Sequence, residues 1–261
     1  MFKLTAEEIG ECYDKFMEVI DDTFEGERKN NLIKMYEHFG DRLLLAPASG
    51  KDHFHLAVPG GYLKHCLNII DISDKMSKMY RHVGGTTDFT DEERIFAAMH
   101  HDLGKLGDYN HDYYIPVSQD WQIKRGIRYE YNPDLNFMDV TDRSLFLLQQ
   151  FDIKITDNEM YGIRLADGMF KELNKSYFNT YTDAMQMKNH LPFIIHWADW
   201  MATRMEYDTR MNVVNLETKQ EKKAINSIKE SLTKPKVESK KPKTKVDPMA
   251  TFTEIFEGME K

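Results

Sequence analysis

The chain has 261 residues and a formal net charge of −8, with 41% apolar and 30% charged residues. These values are typical of a soluble globular protein with one sizeable core. No run of 18 or more apolar residues occurs, which excludes a membrane-spanning helix. The first residues lack an apolar signal-peptide core, and the two cysteines have no CxxC spacing. The sequence therefore predicts a cytoplasmic protein without a disulfide framework and without a membrane partner.

The negative charge is unevenly distributed along the chain. Lys219–Lys245 contains ten lysines and three glutamates and carries +7, so the remainder carries −15. An acidic body argues against a broad nucleic-acid groove, because phosphate contacts provide most of the non-specific affinity for nucleic acids. A small phosphorylated substrate stays compatible with it, because a metal ion can invert the local field. The basic segment itself can make weak nucleic-acid contacts.

Two amphipathic helices are predicted at the start of the chain. Thr5 and Glu8 have the spacing of a capping box, which predicts a helix from there to about Asp22. A second helix is expected over roughly Glu27 to Phe39. We expect residues 1–45 to pack on the core as a scaffold without chemistry of their own.

A loop rich in proline and glycine over 46–61 precedes a helix predicted from Tyr62 to about Arg81. His55 lies in this loop. His65 lies in the first turn of the helix, at the mouth of the loop, where a ligand could reach it. Taken alone, His65 also fits a surface or capping histidine.

The central helix, predicted over Thr90–His101, begins at a capping threonine and ends in polar residues that can bind a metal. His101 and Asp102 place an imidazole and a carboxylate on adjacent positions. Lys105 follows three to four residues later, on the same side of the helix. Gly104 and Gly107 then favour the end of the helix.

Aromatic and β-branched residues predict a small β-hairpin or irregular insertion over about 108–138, with Arg125-Gly126 near a turn. Arg125 and Arg128 of this insertion could reach a substrate, or could belong to an ordinary exposed ribbon. Helices are predicted again from Asp142 to Phe151 and, capped by Thr156, to about Ala166.

The last strongly apolar helix is predicted over 191–206, and Asp199 is a carboxylate among its apolar residues. A buried lone carboxylate is costly, so Asp199 needs a cation, a donor or a metal, or else a structural arginine partner. His196 lies one turn earlier and could support it. Residues 216–246 are predicted to form a basic flexible linker. Residues 247–261 are predicted to form a short amphipathic segment that docks on a partner or packs back on its own domain.

The order His65, His101-Asp102, Asp199 resembles that of the HD-domain metal-dependent phosphohydrolase superfamily over about Ala46 to Asp208. The first two blocks look most like the branch with YhaM-type exoribonucleases and related phage and bacterial HD proteins. The matching text is His55-x-Ala57-x-Pro59-Gly60-Gly61-x-Leu63-x-His65, His101-Asp102-Leu103-Gly104-Lys105 and His196-x-Ala198-Asp199-x-x-Ala202-x-x-Met205-Glu206.

The resemblance implies an all-α fold, an HD-domain helical bundle over 46–215 with the small β-hairpin insertion and a disordered C-terminal tail. It places one divalent metal ion between four ligands, His65, His101, Asp102 and Asp199. Two imidazoles and two carboxylates suit Mn, Fe, Co, Ni or Zn better than Mg. Asp102 would also orient the attacking water, and Lys105 would neutralise the developing phosphoryl charge. Substrate or outer contacts are expected from His55, His196, Arg125, Arg128 and Asp167.

One position departs from the family. Many members with two metals carry a histidine before Asp-Gly, where this chain has Ala166-Asp167-Gly168. We therefore expect one tightly bound metal, with room for only a weak second ion at Asp167.

Three functions remain open from the sequence. The first is a metal-dependent phosphohydrolase acting on a nucleotide or similar small phosphate ester or anhydride. The second is a 3′–5′ nuclease on RNA or DNA. The third is a non-catalytic metal-site protein that docks through 247–261, whose Phe252-x-x-Ile255-Phe256 resembles short peptides that bind sliding clamps. If a phage encodes the chain, the cytoplasm in question is that of the host.

Overall fold

The structure, a computed structural model, describes residues 2–180 and 182–233. Over these residues the fold is mostly helical with one two-stranded antiparallel sheet, which confirms the predicted all-α class. The α-helices are α1 (Ala6–Thr23), α2 (Gly26–Phe39), α3 (Asp41–Leu45), α4 (Gly61–His82), α5 (Asp91–His100), α6 (Asp120–Lys124), α7 (Val140–Gln150), α8 (Asp157–Arg164), α9 (Lys175–Phe178) and α10 (Leu191–Thr233). The strands are β1 (Tyr114–Pro116) and β2 (Tyr129–Tyr131). Single turns of 3₁₀ helix cover Leu103–Leu106, Gly168–Phe170, Glu172–Asn174 and Asp183–Met185.

Three helices begin at capping threonines that the sequence predicts, and in the structure each threonine forms a capping box. In each, the threonine hydroxyl accepts the backbone N–H three residues on, and the glutamate there accepts the threonine backbone N–H. This pairing satisfies donors that the first turn of a helix leaves without partners. The pairs are Thr5 with Glu8 in α1, Thr90 with Glu93 in α5, and Thr156 with Glu159 in α8.

The core lies between the N-terminal helices and the helices that carry the polar cluster described below. Its largest fully buried side chains include aromatic residues of α1, α2, α4 and α5. Apolar residues of α7, α8 and the first part of α10 complete it. Burial of this kind stabilises by roughly 25 cal/mol per Å² of apolar surface, so the core holds α4, α5 and the start of α10 in fixed relation.

The predicted hairpin is present, but a short helix separates its strands. Tyr114 pairs with Tyr131 and Pro116 with Tyr129, and α6 lies between β1 and β2. Arg125-Gly126 forms the turn after α6, and Gly126 has φ +77°, a conformation that favours glycine.

The chain divides into two units, Met1–Asn215 and Leu216–Lys261. In the second unit the backbone is helical as far as Thr233, which differs from the flexible linker predicted from residue 216. Residues 216–233 are rich in strong helix formers and contain no proline; the next proline along the chain is Pro235. Residues 234–246 of the predicted linker and the predicted docking segment lie outside the described residues. Among the described helices, none combines the length and the apolar character needed to cross a bilayer.

Candidate metal centre

A tight loop brings His55 beside His65 at the start of α4. A Cβ atom on Gly61 would lie 2.2 Å from the carbonyl oxygen of Leu56, so only glycine lets the loop approach the helix this closely. Within the folded-back loop, the Ala48 N–H donates to the carbonyl of Leu56 at 3.1 Å. The imidazole rings of His55 and His65 consequently lie 4.5 Å apart, centroid to centroid.

His65 is fully buried, and its two ring nitrogens face different partners. Nε2 lies 3.2 Å from Oδ1 of Asp199 and 3.8 Å from Oδ2 of Asp102. Nδ1 lies 3.0 Å from both carboxylate oxygens of Glu206. The Asn68 amide donates to the same carboxylate at 2.7 Å. When the ring is neutral, a carboxylate at Nδ1 favours the tautomer with the proton there, and Nε2 then directs its lone pair toward the two aspartates.

His101 is oriented in the same way by the backbone of its own helix. Its Nδ1 donates to the carbonyl of Ala98 at 2.9 Å, and its Nε2 lies 3.4 Å from Oδ2 of Asp102. The same Oδ2 accepts a 2.5 Å hydrogen bond from the Lys105 ammonium, which also donates to the carbonyl of Ala48 at 2.7 Å. The loop before α4, which contains Ala48, and the turn after α5, which contains Lys105, thus meet beside Asp102.

Three imidazole nitrogens at this point have no hydrogen-bond partner among the described residues. They are the buried Nε2 atoms of His55, His65 and His101. Buried polar atoms are usually paired, and the clustering of three unpaired nitrogens beside two carboxylates fits a cation that accepts several lone pairs. Ligand atoms of His65, His101 and Asp102 all lie within 4.8 Å of one another. This set of nitrogen and oxygen donors fits a borderline divalent cation.

The protonation of the histidines follows from their surroundings. Burial lowers the pKa of His65, but the Glu206 and Asp199 carboxylates outweigh burial and raise the pKa to about 10. Burial, together with the neighbouring His65, lowers the pKa of His55 to about 2, so His55 stays neutral. A divalent cation must therefore displace a proton from His65, while His55 already offers a free lone pair.

Both aspartates of the cluster are ionised. Burial alone would raise the pKa of Asp102, but Lys105 and then His101 hold that pKa well below its usual range. For Asp199, the neighbouring His65 likewise outweighs burial and lowers the pKa. The cluster thus presents two carboxylates to a cation at neutral pH.

The structure brings the four predicted ligands, His65, His101, Asp102 and Asp199, together with His55. It places two further predicted residues, His196 and Asp167, on the wall of a cavity of about 410 Å³ that Asp102 and Asp199 also line, and we call it the site cavity. His196 donates from Nδ1 to the carbonyl of Ala166 at 2.8 Å. Gly168 has φ +53°, and a Cβ there would lie 2.4 Å from the His196 ring.

The two arginines predicted as substrate contacts lie elsewhere. Arg128 makes a bidentate ion pair with Asp52 through Nε and Nη2, with distances of 2.9 and 2.5 Å. Arg125 lies over the ring of Trp121 at 5.9 Å. Neither arginine lines the site cavity. Substrate contact by this pair stays a prediction. The carboxylate partner of Arg128 lies 76 residues away in the sequence, and local pattern does not reveal it.

The sequence prediction missed three residues at the site. Glu206 lies seven residues after Asp199 on α10, two helical turns along the same face, and that spacing could have identified it. Lys171 lines the site cavity, with its ammonium 2.9 Å from Asp167 and 3.0 Å from Asp139. Its spacing of four from Asp167 is visible in the sequence, whereas Asp139 reaches it only through the tertiary fold.

The arrangement can hold a divalent cation and can receive an anion beside it. Histidine nitrogens and carboxylates form the candidate cation site, and the Lys105 ammonium lies at its edge, where it also lines the site cavity. Comparisons of the chain with protein-family models, with curated proteins and with solved structures found no match.

Proposed function

We propose that the chain is a metal-dependent phosphohydrolase that acts on a nucleotide or a similar small phosphate ester or anhydride. One observation carries this proposal. Three unpaired imidazole nitrogens and two ionised aspartates converge beside a lysine ammonium, next to the site cavity. Phosphoryl transfer needs little from a protein beyond positioning and charge stabilisation, and these groups supply both.

The residues that would hold the metal are His65, His101, Asp102 and Asp199, with His55 as a further nitrogen donor. Their mixture of imidazole and carboxylate favours Mn, Fe, Co, Ni or Zn over Mg. A divalent cation at such a site lowers the pKa of water and draws electron density from a phosphoryl oxygen. Glu206 keeps the His65 ring in its orientation from behind.

Lys105 serves as a fixed positive charge rather than as a base. Burial would lower its pKa, but the Asp102 carboxylate next to it raises the pKa above the ordinary lysine range. Two of its three N–H donors bind Asp102 and Ala48, and within the described part of the chain the third is available to a phosphoryl oxygen. Such a preorganised donor stabilises charge that develops in the transition state.

Asp102 contributes through both of its oxygens. Lys105 and the two histidine Nε2 atoms all approach Oδ2. Its Oδ1 is thereby left to accept a hydrogen bond from water and to direct that water's oxygen at phosphorus.

A small substrate agrees with the dimensions of the site cavity. A cavity of about 410 Å³ is large enough for one nucleotide-sized ligand. We place the activity in the cytoplasm, because Cys12 and Cys66 are buried free thiols, as expected in a reducing compartment.

The test is metal binding and hydrolysis measured on the same protein. Metal-stripped chain is supplied in turn with Mn, Fe, Co, Ni, Zn and Mg, then assayed on a panel of nucleotides and model phosphate esters. His101→Ala and Asp102→Ala should lose bound metal and activity together. His111→Ala, which removes a histidine paired with Asp108 away from the cluster, should keep both. Full metal content in the first two variants, or no hydrolysis with any ion, would overturn the proposal.

A further inference from the structure

The lysine of the candidate site lines three cavities, and two of these also share a histidine of the cluster, His55. A second cavity of about 640 Å³, which we call the hairpin cavity, is bounded by residues of β1 and β2, of α6 and of the loop before α4. His55, Lys105 and Thr203 line both this cavity and the site cavity. A group bound at Lys105 can therefore extend into open space on two sides.

Each cavity has aromatic side chains exposed to solvent. In the site cavity, Phe137, Phe170 and Trp200 are 88%, 78% and 55% exposed. In the hairpin cavity, Phe54 is 50% exposed, and Tyr114 and Tyr129 line the wall beside it. Large apolar rings exposed around a polar centre are characteristic of binding sites rather than of free surface.

Flat aromatic ligands suit these rings better than aliphatic ones. Stacking a nucleobase on an aromatic side chain contributes roughly five- to a hundredfold in affinity, and every base has a face that can stack. Polar groups stand near the rings as well. Gln122 and Glu130 line the hairpin cavity, where they can form hydrogen bonds with the edge of a base.

We propose that the substrate is a phosphodiester that joins two nucleosides, with its phosphorus beside Lys105 and one base in each cavity. This inference rests on the proposed function and narrows its substrate class. A nucleoside monophosphate would occupy one cavity and leave the aromatic residues of the other without a ligand. Both cavities lie within the range of roughly 300–1,000 Å³ that small ligands occupy.

The reaction is a hydrolysis and needs no other co-reactant. The oxygen of water forms a bond to phosphorus, and the phosphorus–oxygen bond to one nucleoside breaks. The proton that the water loses balances the proton that the departing nucleoside hydroxyl takes up. The products are one nucleoside and one nucleoside monophosphate.

Two chromogenic diesters with the same leaving group test whether the site binds an aromatic group on one side of phosphorus or on both sides. Thymidine 5′-(4-nitrophenyl) phosphate has an aromatic group on each side of phosphorus, whereas methyl 4-nitrophenyl phosphate has one. We expect kcat/KM to be at least about tenfold higher for the thymidine ester. Equal values for the two esters would overturn the two-sided site while leaving the hydrolase in place.

Alanine variants of the exposed phenylalanines show which cavity binds each aromatic group of the substrate. Phe54→Ala and Phe137→Ala change exposed side chains and should each lower kcat/KM for the thymidine ester about five- to tenfold. Only one of these two variants should lower kcat/KM for the methyl ester, because that ester has a single aromatic group. Phe146→Ala, an exposed phenylalanine of α7 that lines neither cavity, is the matched control and should have no effect. If Phe54→Ala leaves both esters unchanged, the hairpin cavity does not bind substrate.

Binding supplies a readout without turnover. A dinucleoside phosphonate, with a methylene in place of the bridging oxygen, should bind at least about tenfold more tightly than the mononucleoside phosphonate, and each phenylalanine variant should reduce this advantage. Equal affinities would contradict the proposal even in a protein that hydrolyses nothing. A single-stranded decanucleotide, assayed beside the dinucleotide, identifies the source of the diester. Similar kcat/KM values for the two would indicate that the natural substrate is the end of a strand. A higher kcat/KM for the dinucleotide would indicate that the natural substrate is a small molecule. Either result supports two base-binding cavities.

Discussion

Glu206 on α10 holds His65 on α4 from behind, with Nδ1 at 3.0 Å from both carboxylate oxygens. Because this contact sets the tautomer of His65, it determines whether Nε2 has a free lone pair for a cation. We expect Glu206→Gln to weaken divalent-metal affinity about tenfold and Glu206→Ala about a hundredfold, as such carboxylate partners do elsewhere. Cobalt titration of metal-stripped protein, followed by its visible absorption, measures this.

The control for this prediction lies on the same helix. Asp208 is exposed, two residues after Glu206, and Asp208→Asn removes one negative charge without touching His65. Its metal affinity should match that of the unsubstituted chain. An equal loss in Asp208→Asn would show that net charge matters and that the contact with His65 does not.

Lys105 provides the second prediction, in which metal binding and turnover separate. Lys105→Met removes the ammonium that donates to Asp102 and Ala48 but no proposed ligand. We expect the metal to be retained and kcat to fall about 10²- to 10³-fold, the usual cost of losing one preorganised donor. Metal content and kcat are measured on the same preparation. If Lys105→Met instead lost its metal, with unchanged activity per bound ion, the role assigned to Lys105 would be wrong.

The helices could be predicted because the signals that define them are local. A threonine with a glutamate three residues on fixes the start of α1, α5 and α8, and all three starts agree with the structure. The end of α10 was harder to predict. A lysine-rich segment suggested a linker, but helix propensity without a proline carries the backbone to Thr233.

The sequence could predict which side chains converge at the candidate site, but not the contacts that support them. His65, His101-Asp102 and Asp199 are residue types with metal chemistry, each at a helix end or in an apolar helix. The carbonyl of Ala48 beside Lys105 and the carboxylate of Asp139 beside Lys171 come from loops. Loop conformation depends on tertiary packing, which a period of 3.6 residues does not encode.

Arg128 is expected to act by positioning the loop that carries His55. It pairs with Asp52, and its backbone N–H also donates to the carbonyl of Gly50 at 2.9 Å. Arg128→Met should lower kcat about tenfold with little change in metal affinity, because a loosened loop moves His55 and the partner of Lys105. Kinetics for substrates with one, two and three phosphates measure this effect.

The exposed neighbour Arg125 is the matched control for Arg128. Arg125→Met removes an equal charge from the same insertion and should leave kcat and KM unchanged. A rise in KM of Arg128→Met that grows with the number of phosphates would instead show that Arg128 binds the substrate directly. Limited proteolysis provides a second readout, since faster cleavage in the loop over 48–55 is expected only for a positioning role.

Arg28 on α2 joins the fold through a buried ion pair with Glu159 on α8. Nη2 lies 2.6 Å from Glu159, whose side chain is fully buried, and the guanidinium lies 4.1 Å from the centre of the Phe96 ring. Removing one partner of a buried pair leaves an uncompensated charge and typically costs about 3–5 kcal/mol. We expect Arg28→Met to lower the free energy of unfolding by about this amount at pH 7. The double variant with Glu159→Gln should recover most of the loss.

The pH dependence distinguishes this mechanism from a simple loss of packing. Burial raises the pKa of Glu159, while the hydrogen bond and charge of Arg28 oppose that rise. A carboxyl group with a higher pKa in the folded chain stabilises most below its unfolded pKa, and that stability is lost as pH rises through the folded pKa. Without Arg28 the folded pKa of Glu159 rises further, so the destabilisation by Arg28→Met should grow between pH 5 and pH 7, as urea unfolding at each pH would measure.

Lys75→Ala, which breaks an exposed pair with Asp71, is the control and should change stability by less than about 0.5 kcal/mol at either pH. A destabilisation by Arg28→Met that is the same at both values would indicate lost packing on Phe96, because packing does not depend on the ionisation of Glu159.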